Sequence, residues 1–475
     1  MNLGVDLGTS YTKLATCSGD RRAEAVRLEV AEPDGVIPVA VAYGGGEAVV
    51  GRSAFAAVTR PATTLHEHFT PRLDRVPGGS PPVRTPAAVT RDYVDGILRS
   101  ARTSGTIRRL DTLVVAVPPR WLATGPPAEL LRVILTEDLG LSRVRLIGQH
   151  VAAATYLAQR HEGGHLVLCD VGACRVTVTL CAVDGQTVRV IDSTGSDDEH
   201  PADHAGLEIE AALADSVPLR RALTDALYHR RSPSWLAEVL DDRHQPTHAD
   251  VALYADDHHR VEVARALAAT RPLIDLIGHT IARFRARNPG LQPGGAWRLA
   301  VLGGASLFPP VRAAVHQAFG IATGTRLGLL LDLSAEEVMY ATAMGAAFVA
   351  EGLAEPGDRF PHRVTLPARR VQDGRLRAAH LMVAGPGELR AGALDPMFAA
   401  APIRFLPDGL PLLLDVHRGD EPERITVPHH ARPESGDFDV GLLMAGDGVL
   451  HLVFRPIGDA QDRPPYPLGD LREKA

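Results

Sequence analysis

The residues of this chain best suited to chemistry lie within its first thirteen. Met1-Asn2-Leu3 lead into Gly4-Val5-Asp6-Leu7-Gly8-Thr9-Ser10-Tyr11-Thr12-Lys13, a short apolar strand ending in Asp6, then a glycine turn and hydroxyl residues, before apolar Leu14 and Ala15. Gly8 lets the backbone approach a phosphate and take dihedrals closed to other residues. Successive backbone N–H groups in such a turn form an anion-binding concavity. Asp6, at the strand end, is placed to hold magnesium through water, because that ion gives up its waters reluctantly. The segment is not a P-loop, which needs G-x-x-x-x-G-K-[ST] and a following helix. Read alone it is equally an ordinary β-hairpin with a glycine turn. The arrangement starts again at Asp170-Val171-Gly172-Ala173-Cys174, between strand-like 165–170 and 176–183. Two such hairpins facing across a cleft, with the Gly303-Gly304 strand end, could clamp a nucleotide from both sides.

The elements that must position these residues follow from periodicity and turn signals. Hairpins fill residues 1–50, at 4–16, 25–30, 36–43 and 47–51. Helical patterns cover 87–102, 127–139 (Leu130, Leu131, Ile134 and Leu135 at helical spacing), 150–159, much of 206–287, 309–319 and 334–352. Buried strands fall at 112–117, 144–147 and 297–302. Each half therefore predicts a mixed sheet with helices packed on it. Gly352, Pro356, Gly357 and Pro361 read as a linker. Beyond it, short β-rich stretches at 376–384, 410–417, 424–427, 438–444 and 449–454 alternate with Pro/Gly turns and predict a small all-β module. The expected division is a domain over 1–352 (lobes of about 1–162 and 163–330, with helix 334–352 returning to the first), a linker over 353–363, a β-rich domain over 364–457 and a tail over 458–475. The tail is Pro- and charge-rich and is expected to be unstructured.

Composition narrows the function classes. A chain of 475 residues exceeds one core. Its net charge of -7 gives no electrostatic footprint for nucleic acid. No leader pattern and no apolar run of membrane-spanning length is present, so no membrane partner and a cytoplasmic location are expected. Cys17, Cys169, Cys174 and Cys181 lack zinc spacing and read as buried free thiols. The histidine pairs His200/His204, His66/His68, His258-His259 and His429-His430 lie in polar stretches and read as solvated loops rather than converging metal ligands. Lys13 and Lys474 are the only lysines, which leaves a catalytic lysine almost nowhere to sit.

In order along about 350 residues, these motifs resemble the ATPase domain of the heat-shock protein 70 (DnaK-type) chaperones, within the actin-like ATPase superfamily. Gly4 to Ser10 looks like the first phosphate motif, and Leu113 to Pro118 is similar to the "V-I-T-V-P" strand. Val144 to Ala154 is similar to the first connecting segment, and Asp170-Val171-Gly172 to the start of the second phosphate motif. Ala205-Gly206-Leu207-Glu208-Ile209-Glu210 looks like "G-G-x-D-x-D", Leu302-Gly303-Gly304-Ala305-Ser306 like the adenosine motif, and Glu337 to Ala347 like the second connecting helix. Val440 to Leu452 is a fainter likeness of a hairpin in the family's peptide-binding β-sandwich. The resemblance implies a duplicated actin-like (ribonuclease H-like) α/β ATPase domain of two lobes followed by a small all-β domain. It implies ATP/ADP and magnesium as cofactors, with Asp6 and Asp170 as catalytic and, through water, magnesium-holding residues. Gly8, Thr9, Ser10, Tyr11, Gly172, Ala173, Gly206, Glu208, Gly303, Gly304, Ala305 and Ser306 would then line the nucleotide. A protein or peptide client and a co-chaperone or nucleotide-exchange partner are the implied partners.

The departures from the pattern point to weak or absent hydrolysis. Two glycines of the second phosphate motif are Ala173 and Cys174, whose β-carbons would crowd the β- and γ-phosphates. The motif's threonine aligns with Arg175, and the connecting segment's glutamate with Gln149, an amide that cannot be a general base. No lysine occurs near 65–72, where Arg72 is a loose and differently shaped substitute. Phosphoryl transfer rests on positioning and electrostatic stabilisation, so these losses together leave little turnover unless Arg175 compensates. Two other readings stay open: a non-enzymatic partner-binding scaffold with a vestigial cleft, and a sugar- or acetate-kinase-type phosphotransferase on the same fold.

Overall fold

The computed structural model describes the chain apart from residues 19–21, 45–47, 61, 74–83, 125, 161–162, 185–186, 197–204, 215, 225–226, 228–251, 255–259, 292–296, 322–329, 355–359, 361, 373–374, 386–387, 390–395, 408, 410, 418–421, 446–448, 459–463 and 470–475. The expected linker core and the histidines His200, His204, His258 and His259 therefore lie outside the described residues. The chain divides into two compact units, one of Met1–Ala116, Leu130–Val144 and Gln149–Glu355, the other of Val117–Glu129, Arg145–Gly148 and Pro356–Ala475. The mixture of sheets and helices is compatible with the ATPase fold that the resemblance implies.

Two sheets in the first unit repeat one local plan. In the first, β1 (Asn2–Leu7) pairs antiparallel with β2 (Tyr11–Cys17) and parallel with β3 (Thr112–Val117). In the second, β4 (Gly164–Val171) pairs antiparallel with β5 (Val176–Asp184) and parallel with β7 (Trp297–Leu302), while β5 also pairs with β6 (Thr187–Gly195). Alternation along β4 explains why the second sheet is covered on both faces. Val167, Cys169 and Val171 join a core with Ile209, Leu273, Ile277 and Phe284. Leu166 and Leu168 point the other way, toward Val151, Ala154 and Leu157 of α1 (Gln149–Ala158). The first core is closed by α2 (Gly206–Leu213) and α3 (Val263–Arg287). On the first sheet, Ala15 and Cys17 of β2 pack with Tyr340, Ala343, Ala347 and Phe348 of α4 (Ala335–Ala350). The start of α4 is fixed by a capping box: Ser334 Oγ accepts from the Glu337 N–H at 3.2 Å, and Glu337 accepts from the Ser334 N–H at 2.9 Å.

All four cysteines are buried, and none is in a disulfide. Among the described residues no helix is long and apolar enough to cross a membrane. Two local expectations change. Of the strand expected over 25–30, only the start is seen, inside Ala23–Ala25. The amphipathic pattern over 127–139 is α-helical over Pro126–Val133 and then widens into a π turn over Ile134–Asp138.

In the second unit, the described residues from Arg363 onward form strands, with one short 3-10 turn at His429–Ala431. One sheet holds β8 (Arg363–Gln372), β9 (Arg375–Ala384), β10 (Leu413–His417) and β11 (Pro422–Thr426). The other is built on β12 (Gly436–Met444) and β13 (Leu450–Pro456). Leu366, Leu414, Val416, Val440, Leu442 and Leu452 share its core. The tail corrects an expectation: Tyr466–Gly469 forms an edge strand, β14, paired antiparallel with β13. Tyr466 and Leu468 alternate onto the core, and Pro467 is tolerated because an edge strand can leave one N–H position unused.

Candidate functional site

The first hairpin fixes its turn from outside. Pairing of Leu7 with Thr12 leaves the four residues Gly8 to Tyr11 as the turn. The carbonyls of the first three are held by residues beyond the hairpin. Gly8 O accepts from Thr70 Oγ1 at 2.9 Å, Thr9 O from His68 Nδ1 at 3.4 Å, and Ser10 O from the Val39 N–H at 2.9 Å. A carbonyl only accepts, so the His68 contact requires the proton on Nδ1. Because each peptide is planar, holding its carbonyl also sets the direction of its N–H. His68 is one of two non-glycine residues with a left-handed backbone among the described residues (φ 52°), a strained state that needs support from its surroundings. Burial holds its imidazole below the ordinary histidine value, favouring the neutral ring.

Asp6 sits at the base of this turn and is 5% exposed. Its Oδ1 accepts from Gln149 Nε2 at 2.8 Å, and its Oδ2 pairs with Lys13 Nζ at 3.0 Å. Lys13 lies directly across the hairpin, in register with Asp6. Sequence reading missed this partner. The signal was present in the four residues between Leu7 and Thr12, which place residue 13 opposite residue 6.

The second hairpin closes over Gly172–Arg175, with the Gly172 N–H donating to Arg175 O at 2.9 Å. Asp170 pairs in register with Thr177 on one side and Leu302 on the other. Gly303, at φ +85°, follows at once, and a β-carbon there would meet the Asp170 carboxylate and the Val171 carbonyl. Burial first, and the nearby Asp6 charge second, push the Asp170 carboxyl up to about 6; Lys13 and Arg175 act in the opposite sense.

The structure thus gathers Asp6, Gln149, Lys13, Asp170, Arg175 and Gly303 around two facing strand ends. Other residues expected at the nucleotide act through the backbone here. The Gly206 and Leu207 N–H groups, which open α2, donate to the Gly172 and Ala173 carbonyls at 3.2 and 2.9 Å. Glu208 lies in the first turn of that helix. Gly304, Ala305 and Ser306 form a short 3-10 turn, and buried Ser306 donates to Gly303 O at 2.7 Å. Burial first, and the charges of Glu210, Glu32 and Asp34 after it, push the phenol of half-buried Tyr11 well up. Arg72 ends the 3-10 turn Thr70–Arg72, and its charge is felt at His68. A cavity of about 40 Å³ lies beside Ser10, Tyr11 and His68, where Arg220 pairs with Glu67 at 3.0 Å and Arg221 pairs with Glu32.

Asp6 and Asp170 are hard-oxygen donors of the kind magnesium prefers. Yet both Asp6 oxygens already accept hydrogen bonds, and an ammonium already balances its charge. A magnesium ion bound directly by both carboxylates therefore does not fit this arrangement, and one held through water would have to share Asp6 with Lys13.

No family model matches the chain. Over 395 residues it is 28% identical to the "Chaperone protein HscA homolog" of Bordetella petrii, covering 76% of this chain and 59% of that protein. Over 416 residues it is 24% identical to the protein of the same name from Pseudomonas fluorescens, covering 74% of this chain and 58% of that protein. The chain spans less than two thirds of the length of these curated relatives.

Proposed function

We propose, from the premise that the chain is a divergent heat-shock protein 70-type member, that it is a chaperone-type protein that binds ATP and ADP and hydrolyses ATP weakly or not at all. In this reading residues 1–352 carry the nucleotide in two lobes and residues 364–457 hold a protein or peptide client. The observation that carries it is the repeated hairpin plan: two strands with Asp6 and Asp170 one residue before their ends, each with an antiparallel partner and a parallel neighbour, with Gly303 against the second. Weak turnover follows from Gln149, whose amide donates to Asp6 and cannot accept a proton from attacking water.

Calorimetric titration with ADP and ATP, paired with single-turnover hydrolysis, tests this. The expected result is micromolar or tighter binding with turnover far below one per minute. Brisk turnover that rises with added peptide would overturn the weak-hydrolysis part. Absence of any nucleotide-dependent thermal shift would overturn the nucleotide reading and favour a scaffold.

A further inference from the structure

We infer that Lys13 supplies at this site the positive charge that a divalent cation would otherwise bring to a bound di- or triphosphate, so that nucleotide binds with little need for magnesium. The inference rests on the nucleotide reading above and sharpens it.

Three observations carry it. Lys13 and Lys474 are the only lysines among 50 basic residues, so the one internal ammonium stands at the first phosphate-type turn. An arginine there would present a larger planar fork, whereas an ammonium is a compact point charge able to sit beneath a tight turn. Lys13 is in register with Asp6, its Nζ lies 3.0 Å from Oδ2, and the two side chains are 12% and 8% exposed. Nζ also lies 3.6 Å from where a β-carbon on Gly8 would sit, which puts it directly under the turn. A hydrated magnesium, which demands near-ideal octahedral oxygen geometry, would have to displace the ammonium from Asp6 or share space with it. An ammonium has three donors; with one on Asp6, two can turn to phosphate oxygens.

The test is an ADP titration of the full chain in excess magnesium and in excess chelator, followed by calorimetry. The wild-type dissociation constant is expected to change by less than about tenfold between the two, a difference below ~1.4 kcal/mol. Lys13→Gln should bind at least about tenfold more weakly in chelator and regain affinity when magnesium is restored. Removing Lys13 leaves Asp6 without its ion-pair partner, which can unfold the variant. The wild-type comparison needs no variant and decides by itself, and Lys13→Arg, which keeps the charge, serves as a second variant that should retain part of the metal-free affinity. Wild-type binding that falls about a hundredfold or more in chelator overturns this inference alone and leaves the nucleotide reading standing. Absence of ADP binding in both conditions removes the nucleotide reading, and this inference with it.

Discussion

The hairpin around Asp6 and the hairpin around Asp170 share a register but are closed by different means. In each, the residue seven positions after the aspartate pairs across from it: Lys13 in the first, Thr177 in the second. The first turn runs from Gly8 to Tyr11, and its Gly8, Thr9 and Ser10 carbonyls are tied down from outside. The second runs from Gly172 to Arg175, and its Gly172 and Ala173 carbonyls are met by the opening N–H groups of α2. A duplicated plan has thus kept its backbone while its chemistry diverged. One carboxylate carries its own counter-charge on the opposite strand. The other has an uncharged threonine opposite it, is influenced by Arg175 of its own turn and by Lys13 of the first hairpin, and depends on the absence of a side chain at Gly303.

The sharpest way to break this comparison is to add one methyl group to each turn. A β-carbon on Gly8 would meet the Tyr11 carbonyl, a backbone atom that cannot move aside without opening the hairpin. On Gly172 the nearest atom would be the Arg175 carbonyl at 3.5 Å, an ordinary contact. Gly8→Ala should therefore cost ~2 kcal/mol or more, within the range for overpacked sites. Gly172→Ala should stay within about 0.5 kcal/mol of wild type. Denaturant titration of both variants measures the difference. Equal losses would mean that the two turns are not distinguished by their need for glycine.

A smaller effect separates the two carboxylates by pH. The Asp170 carboxyl is raised from 3.8 in the unfolded chain to about 6 in the folded one. Between those values the native state keeps a proton that the unfolded state has released. Stability from this group is therefore present below about pH 4, falls as pH rises toward 6, and stays lost above it. Asp170→Asn should flatten that slope and raise the melting temperature at pH 7 by a few degrees, with little change at pH 4. Thr177→Lys, which copies the first hairpin's counter-charge into the second, should flatten it too. Thermal melts across pH 4 to 8 read both. A slope that survives in Asp170→Asn would assign it to other groups.

Much of the site's frame was legible in the sequence because its signals are local. An aspartate at the end of an apolar run, a glycine after it and a Gly-Gly strand end each announce themselves within ten residues. The helices over 309–319 and 334–352 were read almost to their ends from periodicity, and the structure has them at Pro309–Ala318 and Ala335–Ala350. What escaped needed pairing or context. Lys13 was visible but joined the site only once the hairpin register set it opposite Asp6. His68 read as a solvated residue because neither its left-handed backbone nor the Thr9 carbonyl beside it shows in a linear string. The last strand, Tyr466–Gly469, was hidden by Pro467, which reads as a breaker until the strand is known to lie at a sheet edge.

The mildest perturbation restores what the second turn lacks. Ala173 and Cys174 stand where the resembled family has glycines, and Cys174 is buried. Returning both to glycine costs roughly 0.5–1 kcal/mol apiece in backbone freedom, because glycine has more conformations to lose on folding. It also removes two β-carbons that would crowd the β- and γ-phosphates. ATP should gain severalfold, and ADP, which lacks the γ-phosphate, should gain less. The ratio of the two affinities therefore isolates the second turn from the first, and from any general loss of stability, which would weaken both ligands together. Calorimetry on Ala173→Gly/Cys174→Gly measures it. An unchanged ratio would mean that the second hairpin, despite its shared register, no longer meets the nucleotide, and would leave the Asp6–Lys13 pair as the sole phosphate-facing half of the duplication.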